Sequence, residues 1–161
     1  MGEHKINYNL EDYTSLVKSD INLAVIKASF NSKITQFLWE GCMEFLFSAG
    51  FKESQITLFE VPGAFEIPPL CAHLCRNGKY NGIITLGAVI RGETSHYDYV
   101  CNESARGIME VAIKYSIPVS FGILTCENFD QAFDRAGGRA GNKGVDSAKA
   151  VLDMIKIYRS V

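Results

Sequence analysis

Apolar residues recur along the chain in two alternating rhythms. Ile21–Ala28 (INLAVIKA), Gln55–Val61 (QITLFEV), Gly82–Ala88 (GIITLGA) and the segment opened by Pro118 (PVSFGILT) are short runs that read as strands. Between them apolar residues return every three or four positions, the rhythm of an amphipathic helix. Three such stretches are ITQFLWEGCMEFLFSAG, ending at Gly50, then AFEIPPLCAHLCR, then Tyr97–Tyr115. Asn31 and Ser32 stand where a cap for the first is needed. The prolines of the second must lie in its first turn, where no helical hydrogen bond is lost. A short helix near Phe129–Arg135 and a longer one from Val145 to Tyr158 close the chain.

Strand and helix alternate four times, which predicts an α/β fold with a parallel sheet covered on both faces and right-handed crossovers. Neither repeats nor linkers interrupt the pattern, so one domain is expected over residues 1–161, with 1–20 as an N-terminal arm. One piece falls outside this order. Lys5–Leu10 (KINYNL) alternates Ile6, Tyr8 and Leu10 with polar residues, as a half-buried strand does. It can pair with the sheet edge of a neighbouring subunit or fray into solvent.

Composition narrows the partners. The chain has 161 residues, 47% of them apolar, and a net charge of -2, which argues against a general nucleic-acid or membrane-surface binder. The first twenty residues are too polar for a signal-peptide core, and no run approaches the ~20 apolar residues of a membrane span. A cytoplasmic protein is expected. Five cysteines, an odd number without framework spacing, suggest free thiols in a reducing compartment. Cys71 and Cys75 of CAHLC share a helix face while His73 points away, so no metal is expected there.

Candidate chemistry gathers at the strand ends, where open parallel sheets bind ligands. Phe30 and Phe65 occupy loop positions that suit turn residues, and they either tuck under their helices or offer an aromatic slot to a flat ligand. The segment VIRGETSH ends the third strand. Its backbone amides and hydroxyls at Glu93, Thr94 and Ser95 suit an anion at a helix N-terminus, or simple capping, provided the Glu93 carboxylate points away. His96 can exchange protons near neutral pH, or serve only as a helix starter. DRAGGRAGNKG (Asp134–Gly144) offers Arg135, Arg139 and Lys143 among glycines, a phosphate clamp or an ordinary basic turn, but it is not a Walker A motif. These residues suggest an enzyme acting on a flat ring and a small phosphorylated compound, without a metal or nucleophile. A phosphosugar isomerase or a flavin-binding module also remains open.

Taken in order, SFN, PGAFEIP, GAVIRGETSHYDYV, ESARGI, FGILT and RAGGRAGNKG resemble the lumazine synthase family over nearly the whole chain. The resemblance implies a three-layer flavodoxin-like sandwich, with a four-stranded parallel sheet in the order 2-1-3-4. It implies two small-molecule substrates, 5-amino-6-(D-ribitylamino)uracil and 3,4-dihydroxy-2-butanone 4-phosphate, condensed to 6,7-dimethyl-8-ribityllumazine without a cofactor. Phe30 would stack on the pyrimidine, Ala64, Phe65 and Glu66 would line the ribityl side, and Ala88, Val89 and Ile90 would continue that wall. Glu93 and Thr94 would hold phosphate, and His96 would transfer protons. Phe121 and Arg135 would come from the adjacent subunit, with Lys143 near the same site. The resemblance further implies a homo-oligomer, a pentamer or a sixty-subunit icosahedral shell, in which KINYNL joins a neighbour's sheet. Riboflavin synthase is a candidate partner. The chain departs from many family members by carrying Glu93 where they have a smaller residue.

Overall fold

In a computed structural model that describes residues 13–161, four strands lie side by side: β1 (Leu23–Ala28), β2 (Ile56–Val61), β3 (Gly82–Ile90) and β4 (Gly122–Cys126). They form one parallel sheet in the order β2-β1-β3-β4. The helices are α1 (Thr14–Val17), α2 (Ser32–Ser48), α3 (Ile67–Asn77), α4 (His96–Tyr115), α5 (Phe129–Asp134) and α6 (Lys143–Ser160). KINYNL lies outside the described residues.

Side-chain alternation along the strands builds two cores. Leu23 and Val25 of β1, Ile84 and Leu86 of β3, and Leu124 of β4 face α2 and α6, meeting Ile34, Leu38, Leu46, Val151 and Leu152. The intervening Ala24, Ile26, Ile83 and Ile123 face α3 and α4, meeting Ile67, Cys71, Leu74, Ile108 and Val111. A strand buried on both faces favours apolar residues at successive positions, which is why β1 and β3 read as near-continuous apolar runs, interrupted only by Lys27 and Thr85. Each fully buried Leu or Ile contributes about 1.5–3 kcal/mol, so the sheet is the main store of stability. Tyr13 and Leu16, within the expected arm, join the first core, and the Tyr13 hydroxyl donates to Asp153 Oδ1 at 2.8 Å.

The structure departs from the sequence reading in four places. Asn31 stands at the N-cap position of α2 but does not cap it with its side chain. It adopts a left-handed conformation (φ 56°), and its amide donates instead to the carbonyl of Ala88 at 2.8 Å. Asn is among the few residues that tolerate this conformation. β3 runs two residues beyond Ala88, because Val89 and Ile90 pair with Thr125 and Cys126. The fourth strand is shorter than PVSFGILT. Val119 makes one bridge to Ile83, after which the Thr85 hydroxyl donates to the Ser120 carbonyl at 2.6 Å. That detour leaves the neighbouring Phe121 exposed at the amino end of β4. Finally, the glycine-rich segment is more than a turn. Ala136–Gly138 (β5) and Gly141–Asn142 (β6) form a small antiparallel ladder. Gly137 and Gly141 take φ values of 123° and 84° there, which L side chains rarely adopt.

Glycine also permits close packing. At Gly144 a Cβ would meet the Leu38 carbonyl oxygen at 1.9 Å, so the start of α6 sits directly against the backbone of α2. At Gly122 it would meet the Thr85 carbonyl oxygen at 2.1 Å and Ser147 Oγ at 2.5 Å. Gly122→Ala is therefore expected to cost about 2–3 kcal/mol, as overpacking does. Gly92→Ala, with nothing within 4 Å of the added Cβ, should stay within about 0.5 kcal/mol of the parent. Denaturant midpoints at one fixed protein concentration would separate the two.

Candidate active site

β1 and β3 lie side by side, but the chain leaves them for opposite faces of the sheet: α2 follows β1 on one face and α4 follows β3 on the other. The divergence opens a crevice at their carboxyl ends, where ligands bind in such sheets. A cleft of about 720 Å³ lies there.

Backbone bonds position its aromatic wall. The amides of Ser29 and Phe30 donate to the carbonyls of Val61 and Pro62 at 2.8 and 3.0 Å, prolonging the β1–β2 ladder. On the other side the Asn31 amide reaches Ala88. Phe30 is thus fixed at its backbone while its side chain is free, with 71% of the residue exposed. Phe65 belongs to a single 3-10 turn, Ala64–Glu66, that leads into α3, and it is 55% exposed. Neither ring tucks under a helix. Ala88, Val89 and Ile90 form the floor between them.

The opposite wall is the segment Arg91–Ser95 and the first turn of α4. The N-cap position of α4 is Ser95, which makes no side-chain cap, and the His96 amide donates to Thr94 Oγ1 at 3.4 Å. Among the described residues none accepts a hydrogen bond from the backbone amides of Glu93 or Thr94. Free amides at the start of a twenty-residue helix make a favourable seat for an anion. His96 is exposed and lines the same cleft.

Of the residues singled out in the sequence, Phe30, Ala64, Phe65, Glu66, Ala88, Val89, Ile90, Thr94 and His96 all line this cleft. Glu93 is exposed on the same loop and does not line it. The remaining three lie elsewhere on the chain. Phe121 and Lys143 line a separate groove of about 400 Å³ between α4 and α6, together with Met109 and Ala112. Arg135 caps the end of α5, near enough to Cys126 that its charge opposes the upward shift of that thiol. Among the described residues neither Arg135 nor Lys143 has a carboxylate in ion-pair range, whereas Arg139 is held by Asp134 at 2.7 Å.

Sequence reasoning missed Tyr97, Tyr99 and Val100, which also line the cleft. His96, Tyr99 and Val100 are spaced i, i+3, i+4 and so share one helix face, a signal present in HYDYV but hidden among core positions. Burial, with Cys101 beside it, pushes the Tyr97 phenol up and keeps it protonated at neutral pH.

A four-stranded parallel α/β sheet with an aromatic-walled cleft at its β1/β3 switch point defines a class of α/β proteins with a ligand-sized crevice at the strand ends. Comparison with known proteins resolves the class. Residues 20–159 match the model of the 6,7-dimethyl-8-ribityllumazine synthase family. A 6,7-dimethyl-8-ribityllumazine synthase from Desulfovibrio desulfuricans is 46% identical over 141 residues, covering 88% of this chain and 90% of that one. The chain belongs to the 6,7-dimethyl-8-ribityllumazine synthase family.

No group of three or more potential metal ligands occurs among the described residues, and no helix among them is long and apolar enough to cross a membrane. All five cysteines are free. Burial raises the thiols of Cys42 and Cys71 to about 12. Those protons are held more tightly in the folded than in the unfolded state. Their contribution to stability is therefore complete below the ordinary thiol value of 9.0 and is lost as pH rises from there towards about 12. A thiol-reactive dye at pH 8 is expected to leave Cys42 and Cys71 untouched in the native protein and to label both after unfolding.

Proposed function

We infer that this cleft carries out the condensation of 5-amino-6-(D-ribitylamino)uracil with 3,4-dihydroxy-2-butanone 4-phosphate to 6,7-dimethyl-8-ribityllumazine, the activity of the family. The observation that carries the reading is the meeting, in one cleft, of an uncovered aromatic ring at Phe30, Thr94 with a backbone amide unpaired among the described residues, and an exposed histidine at His96. A flat pyrimidine stacks on Phe30, and its ribityl hydroxyls donate to Glu66. The backbone of Ala88–Ile90 supports the ring edge. The butanone phosphate sits on the Glu93 and Thr94 amides and the Thr94 hydroxyl.

The pyrimidine amine attacks the ketone carbonyl, and loss of water gives an imine. A proton leaves the carbon next to the imine as phosphate departs, leaving an enol. The enol tautomerises to a ketone, the second amine closes the ring on it, and water leaves again. His96 takes and returns protons through these steps. Holding both small reactants in one cleft removes much of the entropic barrier to their meeting, and a cation at the phosphate stabilises its departure. No cofactor enters the scheme.

Arg135 and Lys143, which have no carboxylate partner among the described residues, and Phe121 in its apolar groove are proposed to serve the cleft of an adjacent subunit. That requires a homo-oligomer. Exposed Met109, Ile113, Phe121 and Phe129 offer apolar surface for it. A pentameric ring is the proposed unit, and a shell of sixty subunits the proposed assembly. Residues 1–161 act as one domain, in a reducing cytoplasm that suits the free thiols. Riboflavin synthase, which would use the product, is a proposed partner.

The test follows lumazine absorbance against the spontaneous reaction. His96→Ala and Arg135→Ala are each expected to lower kcat by about 100-fold. Mixing the two variants during assembly should return activity at about a quarter of the sites, since such sites combine an intact His96 with an intact Arg135 from the neighbour. A correctly assembled parent that does not outpace the spontaneous reaction would overturn the catalytic reading. Mixed assemblies without recovery would place both residues in one subunit's site.

A further inference from the structure

Of the three residues of RGETSH that the chemistry above leaves unused (Arg91, Gly92 and Ser95), Arg91 is the most heavily engaged. Its backbone amide donates to the carbonyl of Cys126 at 2.9 Å, closing the β3–β4 ladder. Its Nε donates to Glu127 Oε2 at 2.8 Å, on the loop after β4. Its Nη2 donates to Asp98 Oδ1 at 3.1 Å, in the first turn of α4. The guanidinium lies 4.0 Å from the ring centre of Tyr97, which lines the cleft. The four residues that follow, Gly92 to Ser95, are all exposed, and two hydrogen bonds restrain them locally: the Asp98 amide to the Ser95 carbonyl at 3.0 Å and the His96 amide to Thr94 Oγ1 at 3.4 Å.

We propose that Arg91 is a positioning residue that sets the Gly92–Ser95 loop to receive the phosphate of the butanone substrate. It grips both ends of that loop. One end is its own backbone, pinned to β4, and the other is Asp98, three residues past the loop. Tyr97 is clamped in the same stroke, which orients the α4 face that presents His96. The guanidinium also offsets the charge of Asp98, a carboxylate close to the helix N-terminus that would otherwise repel phosphate. Its ion pairs are partly exposed, and as isolated pairs they would stabilise the fold little. Their effect is geometric. A planar fork satisfies two carboxylates and a ring face at once, which a lysine ammonium cannot do.

This inference rests on the reading of the loop as the phosphate seat, and the experiment separates the two. Kinetics are compared for Arg91→Met, Arg91→Lys, Asp98→Asn and Thr94→Ala, with inorganic phosphate as an inhibitor in each. Arg91→Met is expected to raise KM for the butanone phosphate about tenfold and to weaken inhibition by phosphate to match. KM for the ribitylaminouracil should stay within about twofold, because the Phe30 wall hangs from other strands. Arg91→Lys should fail to rescue, and Asp98→Asn should give a smaller change of the same sign. Thr94→Ala should raise the butanone phosphate KM by removing the hydroxyl. If Thr94→Ala has its effect while Arg91→Met and Asp98→Asn leave that KM unchanged, or if Arg91→Lys behaves as the parent, the positioning role is overturned and the phosphate seat stands. If Thr94→Ala and Arg91→Met both leave KM and phosphate inhibition unchanged, the phosphate seat itself is overturned. An equal loss towards both substrates would mark Arg91 as merely structural and overturn the inference.

Discussion

The parallel ladder between β1 and β3 is the constraint on which the rest depends. Leu23 to Lys27 pair in register with Gly82 to Leu86, and β3 then runs on past the end of β1 to Ile90. Because β2 lies on one flank of β1 and β3 on the other, the connecting helices diverge and leave a crevice. Phe30 follows the end of one strand and Ala88–Ile90 finish the other, so the floor and the aromatic wall come directly from the ladder. A one-residue slip would send Leu23 and Val25 to the wrong core and carry Ala88 away from Asn31. Two apolar cores prevent that slip, and in this sense the hydrophobic contacts far from the cleft hold its geometry.

Around that frame, stability and function are divided between different residues. The side chains that fill the cores are buried and apolar, while Phe30, Phe65, Thr94 and His96 are exposed and contribute little to packing. Exposure of two phenylalanines side by side is unfavourable in isolation, and it is tolerable because backbone bonds to Val61, Pro62 and Ala88 hold the loops that carry them. The same division appears at α4. Its later turns pack Ile108 and Val111 on the sheet, and its first turn stays largely exposed, with the Glu93 and Thr94 amides just before it unpaired among the described residues.

The glycine-rich segment serves both ends at once. Its positive-φ glycines form the β5–β6 ladder, and Gly144 lets α6 press against the backbone of α2. Asn142 braces the junction, its side chain accepting from the Gly144 amide and donating to the Phe37 and Ala136 carbonyls. Glycine here answers both to the ladder and to helix packing. Arg135 and Lys143 stand at the two ends of this rigid bracket, so each is presented outward from a fixed base.

Period-two and period-four patterning determined the α/β architecture, the element order and the residues at each strand end, because burial on one or both faces leaves a direct imprint on polarity. Motif order identified the family, and with it the strand order that patterning cannot reach. Other features depended on partners distant in sequence. Asn31 read as a cap, yet it bonds Ala88 fifty-seven residues away. PVSFGILT read as continuous strand, yet Thr85 draws Ser120 aside. Nothing local in VIRGETSH marks the partners of Arg91, yet Glu127 and Asp98 converge on it from the loop after β4 and from α4. Local polarity reports whether a residue is inside or outside. Which groups meet there is decided only when the sheet brings its strand ends together.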